Sequence, residues 1–92
     1  QSFARGKFRI KKWGKVKIHR ELNKREISKY NIKMGMKEIS DSDYEETFNK
    51  LLDKKLSELS HLSESEQKRK IFSYLSYRGW EVEKIFEALR KI

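Results

Sequence analysis

Ninety-two residues, 40% of them charged and 36% hydrophobic, suffice for one compact unit or two very small ones with a modest core. Five Phe, four Tyr and two Trp set the chain apart from a disordered tail, and the absence of cysteine excludes disulfides and thiolate zinc sites. The net charge of +9 is lodged in the first half: residues 1–39 carry 13 Lys or Arg against Glu21, Glu26 and Glu38, whereas residues 40–92 carry 10 against 11 acids. Such asymmetry points one half toward a polyanion or an acidic protein surface. No apolar run reaches membrane-spanning length and no signal-peptide core opens the chain, so a cytoplasmic location is expected.

In chain order, the first stretch with a shape to decide is KFRIKKWGKVKIHR at residues 7–20. Phe8, Ile10, Val16 and Ile18 alternate with Lys and Arg around Trp13-Gly14, as in a basic β-hairpin; the same residues also fit a positively charged corner between helices. Further on, Tyr44, Phe48, Leu51, Leu52, Leu56 and Leu59 recur at helical spacing, which predicts an amphipathic helix over 43–60 with Asp43 as its N-cap. Ser63 and Glu66 have capping-box spacing, Ser63 reaching forward and Glu66 back, before a helix whose core face holds Ile71, Phe72 and Leu75. Arg78-Gly79 ends that helix, glycine tolerating the left-handed turn. A last helical stripe carries Val82, Ile85, Phe86, Leu89 and Ile92. Proline is absent throughout.

An internal repeat decides the opening. Residues 15–39 align without a gap onto 68–92, with Ile18/Ile71, Leu22/Leu75, Arg25/Arg78, Ile32/Ile85 and Ile39/Ile92 identical, and Met36 and Ile27 facing Leu89 and Trp80. The chain therefore reads as two copies of one helical unit. The segment from Lys15 onward is a helix, and residues 3–12 are the last turns of a first helix, with Trp13-Gly14 the corner. The expected fold is all-α: tandem three-helix repeats in an elongated array, the first over 1–40 and truncated in its first helix, the other over 41–92. A unit that begins halfway down its first helix reads as a fragment of a longer chain.

FARGKFRIKKWGKVKIHREL, with its Phe-Ala start, basic corner and Arg-Glu-Leu in the helix that follows, and then LSYRGWEVEKIFEAL, with its Arg-Gly-aromatic turn, resembles the second and third repeats of the RecX family of bacterial recombinase regulators. The similarity covers nearly the whole chain. Glu26 stands where many members have Gly, which predicts a differently shaped turn, and Gly35 stands where alanine is usual, at a local cost of about 1 kcal/mol. The resemblance implies a non-catalytic modulator of RecA that lies in the groove of its filament on single-stranded DNA and restrains recombination and ATP hydrolysis. DNA repair, the SOS response and a monomeric state belong to the same expectation.

Read from the residues alone, the candidate binding surface is the basic corner: Arg5, Lys7, Arg9, Lys11, Lys12, Lys15, Lys17 and Arg20, extended by Lys24 and Arg25. Such side chains neutralise phosphates or complement an acidic protein groove, and the sequence leaves these targets open. Trp80 and Phe86 are expected in the core; Trp13 packs there too, or else stacks on an unpaired base or anchors an interface, and Tyr74 and Tyr77 are expected half-buried beside the core. His19 and His61 lie in different repeats with no ligand or dyad pattern, and no nucleophile motif or phosphate-cradling glycine loop occurs. No enzyme, metal site or cofactor is expected. A sequence-specific helix-turn-helix reading through Lys29, Asn31, Lys33 and Lys37 is the alternative.

Overall fold

The computed structural model describes residues 3–92 of the chain, so the first two positions of the expected first repeat lie outside the described residues. Helix α1 (Phe3–Gly6) runs into a π-helical turn over Lys7–Lys11 and stops at Lys12, whose φ of 59° is left-handed. Ala4 and Phe8 face inward at i, i+4, the spacing that aligns side chains on one helical face. Four further helices follow the corner and α2 (Lys15–Lys24): α3 (Lys29–Met36), α4 (Asp41–Glu58), α5 (Glu64–Tyr77) and α6 (Val82–Arg90). Among the described residues there is no strand. The hairpin reading of 7–20 is thereby excluded.

The caps explain the boundaries. Ser28, Ser40 and Ser63 each accept a backbone N–H three residues on, at 3.1, 3.1 and 3.3 Å, and so begin α3, α4 and α5. Helix α4 starts at Asp41 rather than 43, and ends at Glu58 rather than 60. Ser40 is the cap, leaving Asp41 and Asp43 in the first turn, where carboxylates favour the positive helix end. At Ser63 half of the capping box forms, the Glu66 N–H donating to Ser63 Oγ at 3.3 Å, while the Glu66 carboxylate accepts from the Ser63 hydroxyl instead of its backbone N–H.

The two units share their register. Helices α3 and α6 begin 53 positions apart, at Lys29 and Val82, and the left-handed residues Glu26 (φ 58°) and Gly79 (φ 91°) have the same offset. Both turns close with the same bond: Ile27 N–H donates to Leu22 O at 3.2 Å and Trp80 N–H to Leu75 O at 3.1 Å. The turn at Glu26 thus keeps the shape of the glycine turn, contrary to the expectation drawn from its residue type. Ile18/Ile71, Leu22/Leu75 and Ile32/Ile85 are all buried.

Burial departs from the expected stripes on α5 and α6. Trp80 is buried, but Phe86 is 49% exposed and lies stacked on Phe72, with ring centroids 5.1 Å apart. Val82 and Ile92 are also largely exposed, and Tyr77 is 79% exposed rather than half-buried. Trp13 is half-buried, with an edge contact to Phe3 at 6.4 Å. It borders the core instead of entering it.

The units meet where the α1–α2 corner crosses the α5–α6 turn. A Cβ on Gly14 would stand 2.4 Å from Gly79 O and 2.5 Å from Trp80 Cα, so the two backbones touch. Across this crossing Gly14 N–H donates to Arg78 O (2.9 Å), Val16 N–H to Gly79 O (3.0 Å) and Trp80 Nε1–H to Lys12 O (3.2 Å). The exposed amides that open α2 are therefore capped by the neighbouring unit rather than by a side chain of their own. Beneath the crossing Tyr44 stacks on Trp80 at 4.4 Å and meets Phe8 at 5.8 Å. One core cluster thus runs through both units, and the molecule measures 44 × 22 × 20 Å, an elongated array.

Candidate functional site

The crossing also determines which cations meet. Because the Gly14–Gly79 contact brings the start of α2 against the end of α5, a groove of about 600 Å³ opens between them. Its lining is Lys11, Trp13 and Lys17 from the corner and Ser73, Tyr74, Tyr77 and Arg78 from α5 and its C-cap. Three cations and three aromatic rings line it, with no carboxylate. The Lys17 ammonium lies 4.7 Å from the Trp13 ring centroid and 4.8 Å from that of Tyr77. The Arg78 guanidinium sits 4.9 Å over Tyr74 and donates to Lys11 O at 2.6 Å. These are cation–π distances, and they hold the positive charge close to flat apolar faces.

The other residues of the sequence-derived surface are distributed elsewhere. Lys7 lies over Phe3 and Trp13, at 5.4 and 5.1 Å. Arg5, Arg9 and Lys12 line a separate concavity that also holds Glu38, Asp43, Glu46 and Lys50, so its charge is mixed, and Arg5 Nε is 3.9 Å from Glu38. Lys15 lines a third, with Lys33, Lys37 and Asp41, and its ammonium rests 4.6 Å over Tyr44. Arg20 is exposed on α2, Lys24 is 3.6 Å from Glu21, and Arg25 covers Phe3 at 4.2 Å. The corner is thus a set of three neighbouring surfaces, and the one free of carboxylates is the groove at the joint.

The sequence-derived surface lacked five members of that groove: Trp13, Ser73, Tyr74, Tyr77 and Arg78. The repeat alignment held a signal for Tyr77, which falls opposite the exposed Lys24 and so occupies a solvent-facing position.

Tyr44 braces the joint at a separate point. Its hydroxyl donates to Glu81 Oε1 at 2.6 Å and accepts the Lys15 N–H at 2.8 Å, so one phenol ties α4 to the starts of α2 and α6. Burial, reinforced by the hydrogen bond to the Glu81 carboxylate, pushes its pKa well above the ordinary phenol value. The histidines offer no chemistry of this kind: both are exposed, and His19 Nδ1 is 3.1 Å from Asn23 Nδ2. Among the described residues no group of His, Cys, Asp and Glu is arranged to hold a metal ion, and no helix is long and apolar enough to cross a membrane.

Comparison with known proteins agrees with this architecture unit by unit. The family description "RecX, second three-helix domain" matches residues 1–36, and "RecX, third three-helix domain" matches residues 42–89. A relative named Regulatory protein RecX, from Pelodictyon phaeoclathratiforme, is 36% identical over 86 residues, covering 94% of this chain and 52% of its own length. The chain therefore spans about half the length of that curated relative. No solved structure matches it at a significant level. Two consecutive family domains in their native order, on helices that repeat in register, show that this chain belongs to the RecX family.

Proposed function

We propose that this chain is a non-catalytic modulator of RecA recombinase, which binds the RecA filament on single-stranded DNA and restrains recombination and the accompanying ATP hydrolysis. The reading rests on family membership and on one observation: a groove at the joint gathers Lys11, Lys17 and Arg78 with no carboxylate in its lining. The cations of the neighbouring surfaces, Arg5, Lys7, Arg9, Lys12, Lys15, Arg20, Lys24 and Arg25, are assigned to the same function as a wider contact. Positive charge of this kind speeds association with a polyanion and orients it. The chain acts in this role as a cytoplasmic monomer without a cofactor.

The test is a titration against bare single-stranded DNA, recombinase alone, and the assembled filament, together with the ATPase rate of the filament. Tightest binding to the filament and a lowered ATPase rate are expected. Replacing Lys11 and Lys17 with alanine should weaken binding, and each lost contact to a single-strand phosphate should reduce the slope of log affinity against log salt by about 0.7. If these cations meet acidic recombinase groups instead, filament association slows while bare DNA binding is unchanged. An unaltered ATPase rate with saturating protein overturns the proposal. So does tight binding to one duplex sequence that depends on Lys29, Asn31 and Lys33, which would assign the chain to sequence-specific helix-turn-helix proteins.

A further inference from the structure

We infer that the groove at the joint is a base-stacking slot for an unpaired nucleotide of single-stranded nucleic acid. In this slot the ring of Tyr77 takes the base face, and Lys11, Lys17 and Arg78 take the flanking phosphates.

Three features of the groove argue for this ligand. Tyr77 is 79% exposed, although an aromatic ring at the end of a helix gains stability from burial. A single exposed ring is unremarkable on a protein surface, but Tyr77 shares one groove with Trp13 and Tyr74. The charged members of the lining are all cations, so the ligand is anionic as well as flat. A nucleotide combines a π-face with a phosphate, and stacking on aromatic side chains tolerates any base. An acidic peptide segment would complement the cations but leave the rings without a partner. A duplex is disfavoured because its base faces are already stacked on one another, and only unpaired bases present them.

In the resting arrangement one of the groove's own cations covers the rings. The Lys17 ammonium lies within 4.8 Å of both the Trp13 and the Tyr77 ring centroids, a position that a cation holds weakly in water. When a base arrives, the ammonium swings from ring to phosphate, exchanging a cation–π contact for a charge-assisted hydrogen bond. Because Trp13 belongs to the corner and Tyr77 to α5, a bound nucleotide spans the joint and holds the two units together.

The inference rests on the reading of the corner as a surface that faces nucleic acid, and its test contains no recombinase, so failure of the slot and failure of filament regulation are separate results. The full chain is titrated with a labelled oligothymidylate of about ten nucleotides and with an abasic strand carrying the same phosphates. Tyr77→Ala should lower affinity for the base-bearing strand roughly 5- to 150-fold, the range for loss of one stacked base, without changing the salt slope. Tyr77→Phe should bind as the wild type does. Tyr77→Leu, which keeps apolar bulk but no π-face, should behave as Tyr77→Ala, and this guards against a folding effect. The wild type should bind the abasic strand about as weakly as Tyr77→Ala binds the base-bearing one. Fluorescence of the half-buried Trp13 should be quenched by the base-bearing strand alone, and Trp13→Phe should abolish the response. Equal wild-type affinity for the two strands, or an unchanged affinity in Tyr77→Ala, overturns the slot. Failure of the wild type to bind either oligonucleotide would also overturn it.

Discussion

Gly14→Ala is expected to destabilise the chain by about 1–4 kcal/mol, although its backbone is one that alanine adopts freely. At φ −76° and ψ 168° Gly14 is extended, so the smaller entropy of unfolded alanine would by itself favour the variant by about 0.4–1 kcal/mol. The opposing effect is contact. The added Cβ would stand 2.4 Å from Gly79 O, where ordinary contact begins near 3.4 Å, and its neighbours are main-chain atoms that cannot rotate away. The corner and the α5–α6 turn must separate by about 1 Å, which stretches the bonds from Gly14 N, Val16 N and Trp80 Nε1, now 2.9–3.2 Å, beyond useful length. Three such bonds contribute about 1.5–4.5 kcal/mol net. Gly35→Ala is the control: its Cβ would meet Ala4 Cβ at 3.8 Å, an ordinary contact, so the same substitution in the last turn of α3 should stabilise by up to roughly 0.5–1 kcal/mol. Urea unfolding followed by helical circular dichroism reads both. With a slope of about 1–3 kcal/mol per molar urea, the midpoints should move in opposite directions by amounts the assay resolves easily. A Gly14→Ala variant as stable as the wild type would refute the backbone crossing.

Leu75→Ala and Ile85→Ala remove fully buried side chains, and thermal or urea unfolding should show a loss of about 2–5 kcal/mol for each; losses below about 0.5 kcal/mol would mean that these faces are exposed. Tyr44→Phe keeps the ring but leaves the Glu81 carboxylate and the Lys15 amide without their hydroxyl partner, at a cost of about 1–3 kcal/mol in the same assay. The raised Tyr44 pKa also fixes the sign of an alkaline effect. The folded state holds this proton more tightly than the unfolded chain does, so the stabilisation is complete below the unfolded value near 10 and declines as pH rises above it. Unfolding midpoints measured from neutral pH to above about 10 should fall less steeply in Tyr44→Phe, and parallel curves would contradict this.

The helices and their turns were legible because the buried positions Ile18, Leu22 and Ile32 of one unit have identical counterparts, Ile71, Leu75 and Ile85, in the other. Period-two alternation in the opening stretch carried no strand information, since lysine occupied the polar positions in either case; the pairing of Ile18 with Ile71 decided for helix, and both are buried. Errors arose where the stripe was read without its counterpart. Phe86 falls opposite Lys33, and Tyr77 opposite Lys24, so the register itself placed both rings facing solvent. The asymmetry of Ile27 and Trp80 has another origin. Trp80 is buried because the corner of the neighbouring unit crosses it, whereas Ile27 remains 37% exposed. The groove was illegible for the same reason: Lys11 meets Arg78 across 67 positions of sequence, and no local pattern encodes such a contact.

That same distance orders events as the chain emerges from the ribosome. Stacked repeats ordinarily depend on contacts close in sequence, which lets each unit settle soon after it is made. Here the amides of Gly14 and Val16 have their acceptors at Arg78 and Gly79, and Trp80 closes over Lys12. The corner can form its helical turns early, but it remains undocked until synthesis has passed Trp80, and it must then close a long loop at an entropic cost that the crossing repays only when complete. Translation that halts before Trp80 would leave the basic corner attached to nascent chain without its brace, a substrate for proteases rather than a smaller working protein.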